Sequence, residues 1–172
     1  TRQEWCGDSV GASMRVLAGV EASRAQEYFH SALAQCARSL CLSSQSGCVI
    51  VNNGLTIGVG FNAPPQNECI EKCLKDERSL DFRSDKTCCL HAEQRAILDA
   101  VALNPKLLHG SSLYYIRKKH GEMVFAGKPY CTICSKLALD VGIKEFVLWH
   151  ENGITAYDTR EYNELSFAYR VE

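Results

Sequence analysis

Hydrophobic and polar positions recur with two different periods along the chain, and each period predicts a different kind of element. Over residues 22–40, apolar and small side chains return every three or four positions, which predicts an amphipathic helix. The β-branched runs at 48–51 and 55–61 flank an Asn-Asn-Gly sequence at 52–54, which is typical of a tight hairpin turn. The first part of the chain is therefore expected to form a helix followed by two antiparallel strands.

The rest of the chain alternates between the same two periods. In chain order the predicted elements are a helix over 91–103, strands over 112–116 and 123–126, a helix over 131–141, strands over 145–149 and 154–157, and a helix from residue 158 or 159. Helices that alternate with strands in this way predict an α/β domain, in which helices cover the faces of a central sheet.

A single domain accounts for the length of 172 residues, because one domain is expected for about every 150 residues. We expect an N-terminal tail over 1–23 and one domain over 24–172. Within that domain, residues 63–90 are mostly polar, contain two adjacent prolines and four cysteines, and are long for a structureless loop. This insertion is predicted to be functional or to be held by a metal ion.

Charge and hydropathy argue against several classes of protein. The chain has 19 Lys and Arg residues against 20 Asp and Glu, so its net charge of −1 lacks the basic excess of a dedicated nucleic-acid binder. No apolar stretch approaches the roughly 20 residues of a membrane helix, and no secretion signal opens the chain. The expectation is a cytoplasmic protein with neither a membrane nor a nucleic-acid partner.

Cysteine is the unusual residue, with ten copies in the chain. Without a secretion signal, free thiols and metal ligands are expected in place of disulfides. Cys131 and Cys134 stand at the start of a predicted helix, where both side chains share one face and the helix dipole favours thiolates. The alternative is a pair of buried cysteines that act as small apolar residues.

A histidine followed two residues later by a glutamate forms the second motif. His91 and Glu93 lie in the first turn of a predicted helix, so both side chains can reach a metal ion near the helix end. The same spacing occurs at His120 and Glu122, but there it falls in a glycine turn, where side chains point into solvent. The first pair alone has the setting of a metal site.

Together, His91, Glu93 and the later cysteine pair preceded by a proline match the signature of zinc deaminases. In that signature one histidine and two cysteines bind the zinc ion, and the glutamate transfers protons. Three protein ligands leave the fourth position of a tetrahedral zinc ion open for water, which distinguishes a catalytic site from a structural one.

Residues 24–149 resemble the cytidine and deoxycytidylate deaminase superfamily, and most of all its deoxycytidylate branch, which carries a cysteine-bearing insertion before the histidine motif. The resemblance lies in Gly47-Cys48-Val49-Ile50-Val51, Gly60-Phe61-Asn62, His91-Ala92-Glu93, Leu113-Tyr114, Lys128-Pro129-Tyr130-Cys131-Thr132-Ile133-Cys134 and Val141-Gly142-Ile143-Lys144. It implies a three-layer α/β/α fold with a mixed central sheet of about five strands, and assembly into a homo-oligomer.

The resemblance also implies a role for individual residues. The implied zinc ligands are His91, Cys131 and Cys134. Glu93 would move the proton, Asn62 would contact the sugar or base, and the backbone of Ala92 would meet the pyrimidine carbonyl. The implied cofactor is zinc, and the implied partner is a small nucleoside or nucleotide.

A second, structural zinc ion is a further implication, because relatives in this branch can bind one within the insertion. Its candidate ligands are Cys69, Cys73, Cys88 and Cys89. The alternative is that Cys88 and Cys89 brace the start of the second helix while the other two line one face of a helical turn.

The chain departs from the family pattern at two places. Tyr130 intervenes between Pro129 and Cys131, where it would stack on the base, restrict the pocket or serve in ordinary packing. Residues 118–127 insert a hairpin-like stretch that many relatives lack. Cations that could meet a phosphate near the site are Arg83, Lys86 and Arg95, although surface charges of this kind are usually solvated.

The expected activity is hydrolysis of the exocyclic C–N bond of a cytosine-type nucleotide or nucleoside, above all deoxycytidylate, with release of ammonia. One alternative is a purine deaminase of the guanine or tRNA adenosine type, because those enzymes share the metal motif. Another is a deaminase fold that binds zinc and a partner without catalysis. The presence of Glu93 argues against this last alternative, since a structural zinc site has no use for a proton carrier.

Overall fold

The computed structural model of the protein describes residues 14–73 and 87–170, and a mixed sheet of seven strands runs through its centre. The strands are β1 (Arg15–Val16), β2 (Gln45–Asn52), β3 (Leu55–Phe61), β4 (Ser112–Lys119), β5 (Glu122–Val124), β6 (Glu145–His150) and β7 (Gly153–Asp158). Their order is β1-β7-β6-β4-β2-β3, and β5 pairs with the outer end of β4. Strands β4 and β6 are parallel, whereas the other pairs are antiparallel.

Four α-helices cover the two faces of the sheet in the described part of the chain. They are α1 (Gly19–Cys36), α2 (Ala92–Leu103), α3 (Thr132–Asp140) and α4 (Thr159–Ala168). On one face, α1 buries the helically spaced residues Ala25, Phe29, Ala32 and Cys36 against the sheet. On the other face, α2, α3 and α4 pack over a second apolar core. The predicted three-layer α/β/α fold is confirmed.

The parallel pair marks the end of the sheet at which the predicted site lies. The outer parts of β4 and β6 line one pocket, through Ile116 and Trp149 among others. His91 and Cys131, which directly precede α2 and α3, line the same pocket. In open α/β sheets, ligands commonly bind at the carboxyl ends of the parallel strands, and this pocket has that position.

The sheet and the first helix differ in extent from the sequence predictions. The sheet has seven strands where about five were expected, because the short strands β1 and β5 extend it. Strand β1 pairs with β7 from within the segment predicted as a tail, and its two residues are too few to show a period. Helix α1 begins at Gly19 and ends at Cys36, four residues before the predicted end at Leu40.

No helix in the described part of the chain has both the length and the apolar composition that crossing a bilayer requires. The longest of the four helices, α1, is amphipathic. Its exposed positions include the charged residues Glu21, Arg24 and Glu27.

Close packing of α1 on the sheet predicts the effect of one substitution on stability. A Cβ atom added at Gly47 would overlap the carbonyl oxygen of Ala32, which is part of the α1 backbone and cannot rotate away. We expect Gly47→Ala to lower the free energy of unfolding by about 2 kcal/mol or more. Urea unfolding measures this, with Gly127→Ala as the control because a Cβ there meets no atom within 4 Å. Equal stability of the two variants would contradict the close approach of α1 and β2.

Candidate active site

Three metal-ligating side chains meet where α2 and α3 begin. His91 directly precedes α2, Cys131 directly precedes α3, and Cys134 lies in the first turn of α3. The Nδ1 atom of His91 is 3.2 Å from the Sγ atom of Cys134 and 3.3 Å from that of Cys131. All three ligand atoms lie within 4.8 Å of one another. The fold therefore brings together the three residues that the sequence predicted as zinc ligands.

The donor set and its spacing fit a zinc ion. One imidazole nitrogen and two thiol sulfurs are typical zinc ligands, and a nitrogen and a sulfur on one tetrahedral zinc lie about 3.6 Å apart. The two nitrogen–sulfur separations of 3.2 and 3.3 Å are close to that value. Zinc can therefore be held with only small side-chain shifts. Among residues 14–73 and 87–170, this is the one group of three such side chains that converges.

The two cysteines differ in how readily they lose a proton. A hydrogen bond from Cys134 lowers the pKa of the Cys131 thiol to about 4, against the opposing effect of burial. The backbone N–H of Cys134 also donates to the Sγ atom of Cys131, at 3.5 Å. The hydrogen bond to Cys131 and burial raise the pKa of Cys134. One thiolate is thus available first, and metal binding draws the proton from the second thiol.

Glu93 lies in the first turn of α2, and only 6% of its surface is exposed. Burial raises the pKa of this carboxyl group to about 7, and the charge of His91 opposes the shift. Its side chain lines the same pocket as His91 and Cys131. A carboxyl group that is buried beside the metal ligands and still reaches the pocket can exchange a proton with a molecule bound there.

The pocket beside these residues has a volume of about 500 Å³. Pockets of this size hold small ligands such as a nucleotide. Its inner part includes Ser46 and Tyr115 from the sheet and Tyr162 from α4. Its outer wall includes Arg117 and Lys128, which lie in and just after the β4–β5 hairpin. The pocket therefore joins the metal ligands to the outer end of the sheet.

The family model for the cytidine and deoxycytidylate deaminase zinc-binding region matches residues 22–150 of the chain. The chain belongs to this family. The matched range contains His91, Cys131 and Cys134, so the zinc-binding region of the family includes the three side chains whose geometry fits zinc.

Two curated relatives are fungal deoxycytidylate deaminases. The protein of Saccharomyces cerevisiae is 38% identical over 66 residues, which make up 37% of this chain and 21% of that protein. The protein of Schizosaccharomyces pombe is 29% identical over 116 residues, which make up 64% of this chain and 32% of that protein. The chain thus matches about a third or less of the length of each relative.

A solved structure supports the fold of the deaminase family. The cytidine deaminase from Burkholderia pseudomallei matches with a TM-score of 0.52 at 14% sequence identity. The match covers 80% of this chain and 94% of that chain. At this level of identity the likeness concerns the fold alone.

In this member of the deaminase family, most hydrogen-bonding positions of the Asn62 side chain are occupied by other residues of the protein and not left for a ligand. Its Oδ1 atom accepts hydrogen bonds from the backbone N–H of Ser46 at 2.7 Å and from the hydroxyl of Ser39 at 2.6 Å. Its Nδ2 atom donates to the carbonyl oxygen of Ser44 at 2.8 Å. Asn62 lines the pocket, but these bonds leave one amide hydrogen for a ligand. The structure thus shows Asn62 holding the loop before β2 against the pocket.

Ala92 lies deep in the pocket, whereas Tyr130 lies at its opening. Ala92 is fully buried and lines the pocket at the first position of α2. Tyr130 is 54% exposed and packs edge to face on Tyr169, with ring centroids 4.9 Å apart. Tyr130 therefore belongs to the rim of the pocket, where it lines the opening and leaves the inner part free.

Arg95 does not line the pocket, although the sequence suggested that it could meet a phosphate there. Its Nη2 atom donates to the carbonyl oxygen of Pro64 at 2.7 Å, and its guanidinium group lies 5.0 Å from the centroid of the Phe61 ring. Arg95 lines a different groove together with Arg38. The other two cations suggested for a phosphate, Arg83 and Lys86, lie outside the described residues.

The four cysteines predicted for a second zinc ion do not form one group. Cys69 is exposed, whereas Cys73 is buried. The sulfur atoms of Cys88 and Cys89 are 3.9 Å apart, and Cys41, a residue that no sequence motif indicated, lies close enough to raise the pKa of Cys89. Burial and these neighbours raise the pKa of Cys89 to about 12. The second zinc ion therefore stays a prediction without a converging ligand set in the described part of the chain.

Sequence reasoning did not assign the hydroxyl-bearing residues Ser46, Tyr115 and Tyr162 to the pocket. The hydroxyl groups of Ser46 and Tyr115 lie 3.1 Å apart, and burial together with the charge of Glu93 raises the pKa of Tyr115. Tyr162 stacks on Phe146, with ring centroids 3.9 Å apart. Residue alternation along a strand was the available signal for Tyr115, but it does not show which face of the strand meets the site.

Proposed function

We propose that this chain catalyses the zinc-dependent hydrolytic deamination of a cytosine-type nucleotide or nucleoside, with deoxycytidylate as its main substrate. The observation that supports this proposal most strongly is the position of Glu93. Its side chain is buried beside the group of His91, Cys131 and Cys134, and it lines the pocket next to that group. A buried carboxyl group at this place suits proton transfer during catalysis and has no use in a purely structural zinc site.

Zinc held by His91, Cys131 and Cys134 would act as a Lewis acid and lower the pKa of a water molecule to about 7. Glu93 accepts a proton from the attacking water. It delivers this proton to the ring nitrogen, then takes a second proton from the hydroxyl group added to the ring carbon and passes it to the amino group, which leaves as ammonia as the new C=O bond forms. The backbone of Ala92 holds the pyrimidine carbonyl, and the buried walls of the pocket limit access of bulk water.

The choice of deoxycytidylate is supported by the two fungal relatives, both of which are named deoxycytidylate deaminases. The volume of the pocket is also suitable for a mononucleotide. We therefore propose a small-molecule partner. The expected self-assembly of the chain stays a prediction.

A panel of substrates tests this proposal. Purified, zinc-loaded protein is incubated with deoxycytidylate, cytidylate, deoxycytidine, cytidine, adenosine and guanine, and the release of ammonia is measured. We expect the highest kcat/KM for deoxycytidylate and no turnover of the purines. If a purine were deaminated and the cytosine-type compounds were not, the substrate would be a purine and the proposed substrate class would be wrong. Release from none of the compounds, with zinc bound, would overturn the proposed activity.

A further inference from the structure

The β4–β5 hairpin forms the outer wall of the pocket. Residues 124–128, which include the end of β5, line the pocket next to Ile116 and Arg117 of β4. This wall is tied to the parallel strand β6 by two hydrogen bonds. The backbone N–H of Ala126 donates to the carbonyl oxygen of Trp149 at 2.8 Å, and Nδ1 of His150 lies 2.9 Å from the carbonyl oxygen of Ala126. These two bonds hold the hairpin in one position relative to the pocket that its side chains line.

Strand register places Arg117 on the face of the sheet that carries the site. Arg117 stands opposite Ser46 on one side and opposite Val124 on the other, and all three line the pocket. Side chains two positions apart share a face, so Tyr115 and Arg117 follow one another along it. The next residue, Lys118, has its side chain on the other face, near Cys36 of α1.

The spacing along β4 suits a nucleotide that lies lengthwise in the pocket. Tyr115 marks the inner end, since it packs against the core cluster that includes Ala92 and Ala96 of α2. Arg117 lies two residues further out, which is a distance of about 7 Å along a strand. A base whose amino group lies at Glu93 would therefore direct the far end of the nucleotide towards Arg117.

Charge in the pocket favours an anion at this outer end. Among the described residues that line the pocket, Glu93 is the one carboxylate, and it lies at the inner end. Arg117 supplies positive charge at the hairpin. In the described part of the chain, the ion pairs involve Arg15, Glu21 and Glu145, so no carboxylate there neutralises Arg117.

We propose that Arg117 binds the 5′-phosphate group of the substrate and makes the pocket selective for a nucleoside monophosphate over the nucleoside. A guanidinium group suits this task because its planar donors can form two parallel hydrogen bonds to phosphate oxygens. The proposal rests on the proposed deaminase function and specifies the phosphorylation state of the substrate. It assigns the phosphate contact to the hairpin, whereas Arg95 lies in the other groove.

The test compares Arg117→Gln with wild-type protein on deoxycytidylate and deoxycytidine. We expect kcat/KM for deoxycytidylate to fall roughly 10- to 100-fold, mainly through KM, because hydrogen bonds to a charged group are lost. The value for deoxycytidine should stay within about twofold, since the nucleoside makes no such bond. Arg117→Lys should recover part of the loss. Lys118→Gln is the matched control, because it removes the same charge from the opposite face of the same strand.

Two kinetic outcomes would overturn the assignment. An equal fall on both substrates would mean that Arg117 shapes the pocket without binding phosphate. Unchanged kinetics on both would mean that the phosphate binds elsewhere. Calorimetric titration with deoxyuridylate and deoxyuridine separates this question from catalysis, since Arg117→Gln should weaken binding of deoxyuridylate alone. If deoxyuridylate binds both proteins equally, the phosphate assignment fails, whether or not the chain deaminates anything.

Discussion

Replacing Glu93 with glutamine is expected to lower kcat for deamination by about a thousandfold or more, while the protein still folds and binds zinc. Glutamine has nearly the same shape but cannot accept and return a proton, and general acid–base catalysis contributes roughly 100- to 10,000-fold. Glu93 is buried and faces the pocket, so no other carboxylate among the described pocket residues can take its place. Ammonia release from deoxycytidylate, together with the zinc content of both proteins, measures the effect.

Glu122→Gln is the matched control for this substitution. Glu122 follows His120 with the same spacing as Glu93 follows His91, but it lies exposed at the turn between β4 and β5. The control should keep its activity within about twofold, because surface substitutions rarely have large effects. Near-normal turnover by Glu93→Gln would remove Glu93 from the reaction. Loss of zinc from Glu93→Gln would show that the carboxylate acts on the metal site.

Cys131→Ser is expected to reduce bound zinc from about one ion per chain to about a tenth or less, because a serine hydroxyl is a much poorer zinc ligand than a thiolate. Deamination should be lost with the metal. Cys131 lies 3.3 Å from the imidazole nitrogen of His91 and is the cysteine of the pair whose thiolate forms more readily. Elemental analysis after dialysis against a weak chelator measures the metal content.

The control for this metal analysis is Cys69→Ser. Cys69 is exposed and lies outside the group that converges on His91. This variant should retain the zinc ion held by His91, Cys131 and Cys134, and with it the deamination of deoxycytidylate. If Cys131→Ser kept the zinc content of the wild-type protein and deaminated deoxycytidylate as fast as Cys69→Ser, the assigned ligand set would be wrong.

The metal ligands were accessible to sequence reasoning because each part of the group is local. His91 and Glu93 lie in one helical turn, and Cys131 and Cys134 lie in another, so short-range spacing sufficed to select them. The same holds for α1, whose buried stripe follows the helical period. Local spacing does not show that the first turns of α2 and α3 lie next to each other in the fold. That proximity was implied by the resemblance to the family.

The walls of the pocket were not accessible in this way, because they depend on pairing between distant strands. Arg117 enters the pocket since β4 pairs with β2 and β5 in a register that puts Ser46 and Val124 beside it. A shift of one residue would have turned Lys118 inward instead. Arg95 shows the converse, because it lies near His91 in sequence but bonds to the carbonyl oxygen of Pro64 outside the pocket.

Asn62 and Cys41 illustrate a second limit of sequence reasoning. Hydrogen bonds to Ser39, Ser44 and Ser46 occupy most of the Asn62 amide, and no local pattern reveals such partners. Cys41 lies close to Cys89 although the two are 48 positions apart in the printed sequence. Polar contacts formed by loops depend on where the chain returns, and a residue pattern within one segment does not contain that information.

The most direct test of the central claim is the reaction of zinc-loaded protein with deoxycytidylate in water labelled with heavy oxygen. Mass spectrometry then follows the base. Hydrolytic deamination predicts that deoxyuridylate forms together with an equal amount of ammonia, and that its new carbonyl oxygen comes from the labelled water. Unchanged deoxycytidylate in the presence of zinc-loaded protein, or a product without the label, would contradict the claim.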